Sequence, residues 1–595
     1  MKRLQKILVL LLMFITFFSV NACGNLVESI DPGEFEEYTA GLFGTLIGND
    51  ELTIHYLFEN KEAIGVEETT LSIPTPGSSS ALGKMIINLY FGPIKNYNYD
   101  ELNFDQQMTY NVIVDLLDGI NDKTTAMNYL DNNYLGSYLG YQAQLPILLV
   151  EYRLDNLQDV ENYFGLLQLI PEAFIEYVEY EYKKADAGYG MPDFVIDKVI
   201  NQCVEFIGND EHFLISTFEN RIEHLEISDV EKEALIIRNT DIVNNSVKEG
   251  YAYVRDNLPN LRGRATNNLG LAHYETVNDD GTVTYVGKDY YEYLFKDATG
   301  YEVEMEEAID YMQDHLDEIF QKIIFIMTNH PEAVEEAQNV VLMDCTPEEQ
   351  VEAYKTLIQG HFPELESYPN ITIKDIDPSM EDHFSPAAYI ASPIDSFDEE
   401  TIFLNQKKID GDYNYLYTTL AHEGLPGHMY QNYYFKSQDV NIIRKVLKNS
   451  GYMEGWATYV ELYSYNFVED VSDEAIEYLR CYDILNGVLT ARLDMGIHYE
   501  GWDIAETQAY LSQYFTNYDL ENTTRVFEQL VEVPTNSQTY YYTYFKICDM
   551  RDRVMEALGS DYSALEFHKV ILDCGPVPLR FVEDVVDDYI ESKIA

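Results

Sequence analysis

Basic residues are scarce in this 595-residue chain, where 38 Lys and Arg stand against 103 Asp and Glu for a formal net charge of −65. So acidic a surface repels phosphate backbones and anionic lipid headgroups, so neither nucleic acid nor a membrane surface is an expected partner. The carboxylates do not assemble into a twelve-residue EF-hand-type calcium loop either. Cysteine is sparse, with six in the whole chain. Setting Cys23 aside, Cys203, Cys345, Cys481, Cys548 and Cys574 are odd in number and far apart, which excludes a disulfide framework. They do not cluster with His, so a thiolate zinc site is not expected, and buried, reduced thiols are. No Pro/Gly/Ser-rich linker, internal repeat or coiled-coil heptad divides the chain.

The start of the chain reads as an address. Met1-Lys2-Arg3 and Lys6 supply positive charge, and Ile7 to Phe18 is a short apolar run. That run is too short for a comfortable membrane span and fits an export signal. Val20-Asn21-Ala22-Cys23 is similar to a bacterial lipobox. It implies removal of residues 1–22, lipid on Cys23 and an extracytoplasmic, membrane-anchored protein that touches the membrane only through that lipid. An ordinary secretory signal with an incidental Cys is the duller reading of the same residues.

What chemistry there is concentrates in His422-Glu423-Gly424-Leu425-Pro426-Gly427-His428, entered from a helical run at Tyr415 to Ala421. In an H-E-x-x-H helix two His one turn apart bind zinc and the Glu acts as general base. Here two extra residues intervene. At ~100° per residue, His six apart differ by ~240° and cannot share a metal on an unbroken helix. Pro426 has no N–H and crowds the carbonyl of His422, and Gly427 can take a conformation closed to other residues. A break or bulge there is expected to swing His428 back beside His422. Glu454 in Met453-Glu454-Gly455-Trp456-Ala457-Thr458-Tyr459-Val460-Glu461 is the expected third ligand, leaving one zinc position for water. Glu423 is then free to take that water's proton. Glu461, almost two turns after Glu454, can steer a ligating His or simply pair with any base.

At these residues the chain resembles a bacterial family, often lipoproteins, catalogued as domain of unknown function 885 and grouped with the gluzincin metallopeptidases. The resemblance rests on His-Glu-x-x-Pro-Gly-His and Glu-Gly-Trp-Ala-x-Tyr-x-Glu. It continues through Arg492-Leu493-Asp494-Met495-Gly496-Ile497-His498 with Gly501-Trp502, then Pro534 to Tyr540 with Lys546-Ile547, then Phe567-His568-Lys569-Val570-Ile571-Leu572 with Gly575, Pro578 and Leu579. Glu454 follows His422 by 32 residues (454 − 422), which is the gluzincin spacing lengthened by the two inserted residues. Asn536 and Thr543 depart from the family's Gln and Gly. The resemblance implies a Zn2+-dependent peptidase acting on short peptides, with Tyr540 donating to the developing oxyanion. It also implies an edge strand that binds the peptide backbone by strand addition. His498 either faces the cleft and assists the reaction or bonds Asp494, four residues earlier on one helix face. Packing is the alternative role for Tyr540 in a chain with 50 Tyr. Two other functions stay open. One is a surface lipoprotein that binds peptides or another ligand through a structural or decayed metal site. The other is hydrolysis of a non-peptide amide or ester.

The expected fold is mainly α, a large two-lobed helical body around a deep channel with a small antiparallel β-sheet beside the metal-site helix. Residues 23–36 read as an acidic tether, 37–380 as an N-terminal helical region and 381–595 as the peptidase-like region, the last two forming one continuous unit. Pro74 to Ser80 reads as a surface loop, and apolar spacing from 100 to 260 is mostly helical. Asp279-Asp280-Gly281 before Thr282 to Val286 predicts a short hairpin. Tyr389-Ile390-Ala391-Ser392 and Thr401-Ile402-Phe403-Leu404 read as two strands.

Overall fold

The computed structural model describes residues 34–594 apart from 67, 77–80, 132–133, 211, 278–280, 379–380, 382–384, 410–413, 415 and 516–518. The export signal and Cys23 lie outside the described residues. Helices account for 71% of the chain and strands for 4%, which fixes the class as mainly α. Among the described residues no helix is long and apolar enough to cross a membrane. Cys203, Cys481 and Cys574 are buried, Cys345 and Cys548 are partly exposed, and all five are free thiols.

The described residues pack around two large hydrophobic cores and a smaller third. α1 (Phe104–Asp122) opens with a capping box in which Asn103 and Gln106 satisfy each other's backbone N–H. α2 (Leu157–Asp186) is capped by Asn156, whose side chain accepts from the N–H groups of Gln158 and Asp159, and it closes with Lys183 and Lys184 against its negative end. Its buried residues Tyr163, Phe164, Leu167, Ile170, Phe174, Tyr177 and Val178 recur every three to four positions. That stripe packs on α4 (Lys248–Asn257), which packs in turn on α3 (Asp193–Gly208), and the three form the N-terminal core. α5 (Met305–Asn329) packs on a later long helix, so the C-terminal core draws on residues from Met108 to Val586. The many interior tyrosines are tolerated because their hydroxyls reach backbone carbonyls: Tyr177 to Pro74, Tyr251 to Gln142, Tyr354 to Tyr417 and Tyr452 to Ile571.

Three strands stand beside the motif helix: β1 (Asn370–Asp375), β2 (Ala387–Ile390) and β3 (Glu399–Leu404), in the order β1-β3-β2. β2 pairs antiparallel with β3, with Ala387 opposite Leu404 and Tyr389 opposite Ile402, while β1 pairs parallel with β3. The sheet is therefore mixed rather than antiparallel. The expectation missed β1, whose Ile371-Thr372-Ile373 alternation is strand-like but joins β3 only after a long crossover. The hairpin expected near Thr282 is present, with Thr276–Val277 antiparallel to Val283–Thr284.

The chain then runs through α6 (Leu416–Glu423), α7 (His428–Lys436), α8 (Ile442–Val446), α9 (Ser450–Tyr463), α10 (Asp473–Met495), α11 (Leu520–Glu532) and α12 (Asn536–Leu558). α5 packs on α10, and α9 packs along α12, the contact that brings Tyr540 over the metal-site helices. At Gly455 an added Cβ would lie 2.6 Å from Thr543 Oγ1. Any larger residue there would push α9 and α12 apart.

Candidate metal centre

The seven-residue motif is not a kinked helix but two helices end to end. α6 stops at Glu423, the Leu425–Pro426 peptide is cis, and α7 begins at His428. Pro426 cannot donate to the helical ladder, so the turn is tied otherwise. Gly424 N–H reaches Leu420, Tyr430 N–H reaches Gly424, and the Trp456 indole donates to the Pro426 carbonyl at 2.9 Å. Gly427 has an ordinary negative φ of −80°, so the expected special conformation is not what demands glycine. Space is: a Cβ there would lie 1.8 Å from the His422 carbonyl oxygen and 2.4 Å from that of Ala421. The start of α7 is pressed onto the end of α6, and the two imidazoles meet with ring centres 4.8 Å apart and planes at 84°.

Glu454, one turn into α9, closes the set. His428 Nε2 is 3.3 Å and His422 Nε2 is 3.7 Å from Glu454 Oε2. One donor atom from each residue falls within 4.8 Å of the others. Ligands bound ~2.0–2.1 Å from a tetrahedral zinc lie ~3.3 Å apart, so the spacing fits. Glu454 is 0%, His428 4% and His422 8% exposed. Both ring nitrogens of His428 and both carboxylate oxygens of Glu454 are buried without a hydrogen bond. Buried polar atoms are rarely left so, and a metal ion would satisfy them.

The supporting residues are also present. Glu461 Oε2 lies 3.0 Å from His422 Nδ1, which fixes the ring and turns Nε2 toward Glu454. Without a metal, burial pushes the His422 imidazole down, but the Glu454 and Glu461 carboxylates outweigh it and raise it to about 10. Burial likewise pushes Glu454 up, and the His428 and His422 rings overcome it and hold the carboxyl at about 2. Glu423 accepts the Tyr389 N–H at 2.9 Å, from strand β2. Its carboxyl is raised above the usual range by burial, against the pull of His422 and His428. The Tyr540 ring lies nearly parallel to the His422 imidazole at 6.5 Å. Burial and the charges of Glu454 and Glu423 raise its phenol well above the ordinary value, which keeps it a proton donor.

His422, Glu423, Glu461 and Tyr540 all line one open cleft of about 760 Å³, with Ser385 to Ala387 at the start of β2, Thr419 and Thr458 in its walls. His498 is the residue the structure does not bring there. It is fully buried, its Nε2 bonds the Leu530 carbonyl at 2.8 Å, and its Nδ1 accepts the Leu271 N–H at 3.1 Å. The local alternative, a hydrogen bond to Asp494, is not made either, since the closest approach is 3.7 Å. Asp494 instead accepts from Tyr291, Thr535 and Gln538, anchoring the start of α12 below Tyr540. Sequence reasoning passed over Thr458, whose buried hydroxyl has no partner. It sits four residues after Glu454, and that spacing was the available signal.

Comparison with solved structures places this architecture. A protein from Colwellia psychrerythraea described as a lipoprotein superposes with a TM-score of 0.78 at 17% identity, covering 94% of this chain and 99% of its own. A second, from Shewanella oneidensis and described as a lipoprotein of unknown function, gives 0.58 at 14% identity, covering 93% and 99%. Both share the fold. No curated protein matches the chain. The model of bacterial proteins of unknown function designated DUF885 matches residues 88–586, and the chain belongs to that family.

Proposed function

We infer that this protein is an extracytoplasmic, lipid-anchored zinc-dependent peptidase that hydrolyses short peptides. The observation that carries the reading is the buried, unpartnered donor set of His428 and Glu454 beside His422, opening onto a cleft that also contains Glu423. The lipid anchor rests on the sequence before Cys23 and on the lipoprotein descriptions of the two structural relatives.

Zinc held by His422, His428 and Glu454 supplies Lewis acidity for the scissile carbonyl and for a water molecule. Glu423 takes the water's proton and passes it to the leaving amine. Its raised pKa suits both transfers, and the Tyr389 N–H holds it in place. Tyr540, kept protonated, donates to the developing oxyanion. The start of β2, in the cleft wall, offers backbone groups to an extended substrate. A structural metal site has no use for a carboxylate at Glu423, and the accessible cleft favours catalysis over that reading.

The test is Glu423→Gln in purified protein loaded with zinc, incubated with a mixed peptide library and read by mass spectrometry. One zinc per chain is expected in both proteins, with cleavage lowered by about 10²–10⁴-fold in the variant. No stoichiometric zinc, together with unchanged cleavage in Glu423→Gln, refutes the mechanism.

A further inference from the structure

Behind the metal-site helices lies a second pocket whose charge runs against the rest of the molecule. It is lined by Lys436, Lys445 and Lys448 with Gln431, Asn432 and Tyr452, and no carboxylate lines it, in a chain with a net charge of −65. Lys436 is neutralised by Glu400, a buried ion pair. The other two are not. The Lys445 ammonium donates to the Lys436 carbonyl at 2.7 Å, and that of Lys448 reaches only Asn432 Oδ1, at 3.5 Å. Among the described residues neither has a carboxylate oxygen within 4.0 Å. Of the three ammonium groups only that of Lys436 is in contact with a carboxylate, while Asp439 and Asp395 act on Lys445 and Lys436 from further off.

Holding like charges together in a recess is unfavourable unless an anion joins them. All three lysines are pushed down by burial, Lys448 to about 8 with repulsion from Lys436 adding to it, so it remains charged at neutral pH. The N-terminus of α9, a 14-residue helix, adds its positive end: Lys448 stands two residues before Ser450, its first residue. The pocket is a small recess open to solvent, and it adjoins a larger, mostly apolar cleft through Lys448 and Pro576. The carboxylates of that cleft, Asp115 and Asp297, place the anion's charge on the lysine side, and Asp115 is already paired with Arg580.

We propose that Lys445 and Lys448, with Asn432 and the start of α9, form a binding site for the oxyanion of a small soluble molecule, a carboxylate or a phosphate. The site and the candidate metal centre draw on the same two helices, α7 and α9. Asn432 is one turn beyond His428, and Met453 precedes Glu454. Asn432 also donates to the Tyr389 hydroxyl at 2.9 Å, on the residue whose N–H holds Glu423. An anion on Lys448 competes with Asn432 Oδ1 for the ammonium, on the side chain whose amide N–H binds the Tyr389 hydroxyl.

Binding is measured on the metal-free full chain by calorimetry at low ionic strength, with inorganic phosphate and acetate as probes. Neither metal loading nor peptide cleavage enters, so the outcome is independent of the peptidase reading. One-site saturation by at least one probe is expected. The K445M/K448M variant weakens it by about tenfold or more, while K448R retains it. If the double variant does not fold, K445Q and K448Q replace it, each expected to lose severalfold in affinity. Absence of saturable binding of both probes, or undiminished affinity in the lysine variants, overturns the site. A third arm offers phosphatidylglycerol vesicles with phosphatidylcholine as control. Lysine-dependent binding to the former without binding of free phosphate or acetate places the oxyanion on a lipid and overturns the assignment to a soluble molecule.

Discussion

Gly427→Ala tests the geometry on which the metal centre depends. The added methyl would sit 1.8 Å from the His422 carbonyl oxygen and 2.4 Å from that of Ala421. Both atoms are backbone at the end of α6, so no side chain can swing aside. Reaching even a tight 3.0 Å contact requires the two helices to separate by more than an ångström at the point where His422 and His428 converge. Metal–ligand distances tolerate only about ±0.2 Å. The separation thus exceeds what the ligand set can absorb, whereas the fold can absorb an overpacking penalty of about 1–3 kcal/mol. The expected result is a folded protein with a modestly lower unfolding midpoint and zinc affinity lowered by about 100-fold or more, the upper end of what loss of a ligand's support causes. Competition with a chromophoric chelator measures the affinity, and urea unfolding measures stability. Gly41→Ala is the control, because its Cβ meets nothing within 4 Å. Zinc affinity in Gly427→Ala within about twofold of the parent would refute the claim that this contact sets the His422–His428 pairing.

Two further perturbations bear on single residues. Glu461→Gln removes the charge opposite His422 Nδ1; zinc affinity should fall by about 10–100-fold with the fold intact, and an unchanged chelator titration would show that His422 needs no such partner. His568 is fully buried, its rings of contacts formed by the His361 carbonyl and the Tyr459 hydroxyl, and burial lowers it to about 3. A His whose folded pKa is depressed stabilises above its unfolded value near 6.5, and that stability is lost as pH falls toward about 3. Between pH 7 and pH 5 this one group removes about 2 kcal/mol of stability. His568→Gln should lose correspondingly less over that interval in urea unfolding, and identical pH slopes in the two proteins would contradict the assignment.

How much of the fold the sequence carried depended on how local each signal was. The stripe from Tyr163 to Val178 is periodic within a single helix, and it buries as its spacing predicts. The strands at Ala387–Ile390 and Glu399–Leu404 are neighbours in sequence and pair directly. β1 was missed because its partner is reached by a parallel crossover, and nothing within Asn370–Asp375 specifies that pairing. The same limit applies to His498. Its spacing from Asp494 suggested a local pair, yet its actual partners are backbone groups of Leu271 and Leu530, 227 and 32 residues away. Spacing along a helix shows which side chains share a face, not which of them finds a better acceptor across the core.

The candidate metal centre was legible for a reason that goes beyond its motif. Proline and glycine each forbid something: Pro426 cannot continue a helical ladder, and only glycine fits against the end of α6 at position 427. Together they leave His428 at the first turn of a new helix, a placement that restores the convergence an unbroken helix denies. What the motif could not reveal is how the site is held from outside. The Trp456 indole on the Pro426 carbonyl and the Tyr389 N–H on Glu423 come from a helix and a strand whose own sequences carry no mark of the turn they brace, whereas Glu461 on His422 is where its spacing after Glu454 led one to expect it. Trp456 and Glu461 lie on α9 with Glu454. One helix therefore supplies a ligand, the brace of the inter-helix turn and the partner of the first His. That concentration explains how a two-residue insertion in the motif is accommodated without loss of the site: α9 holds both sides of the insertion, so the turn between them can lengthen while the donor atoms stay together.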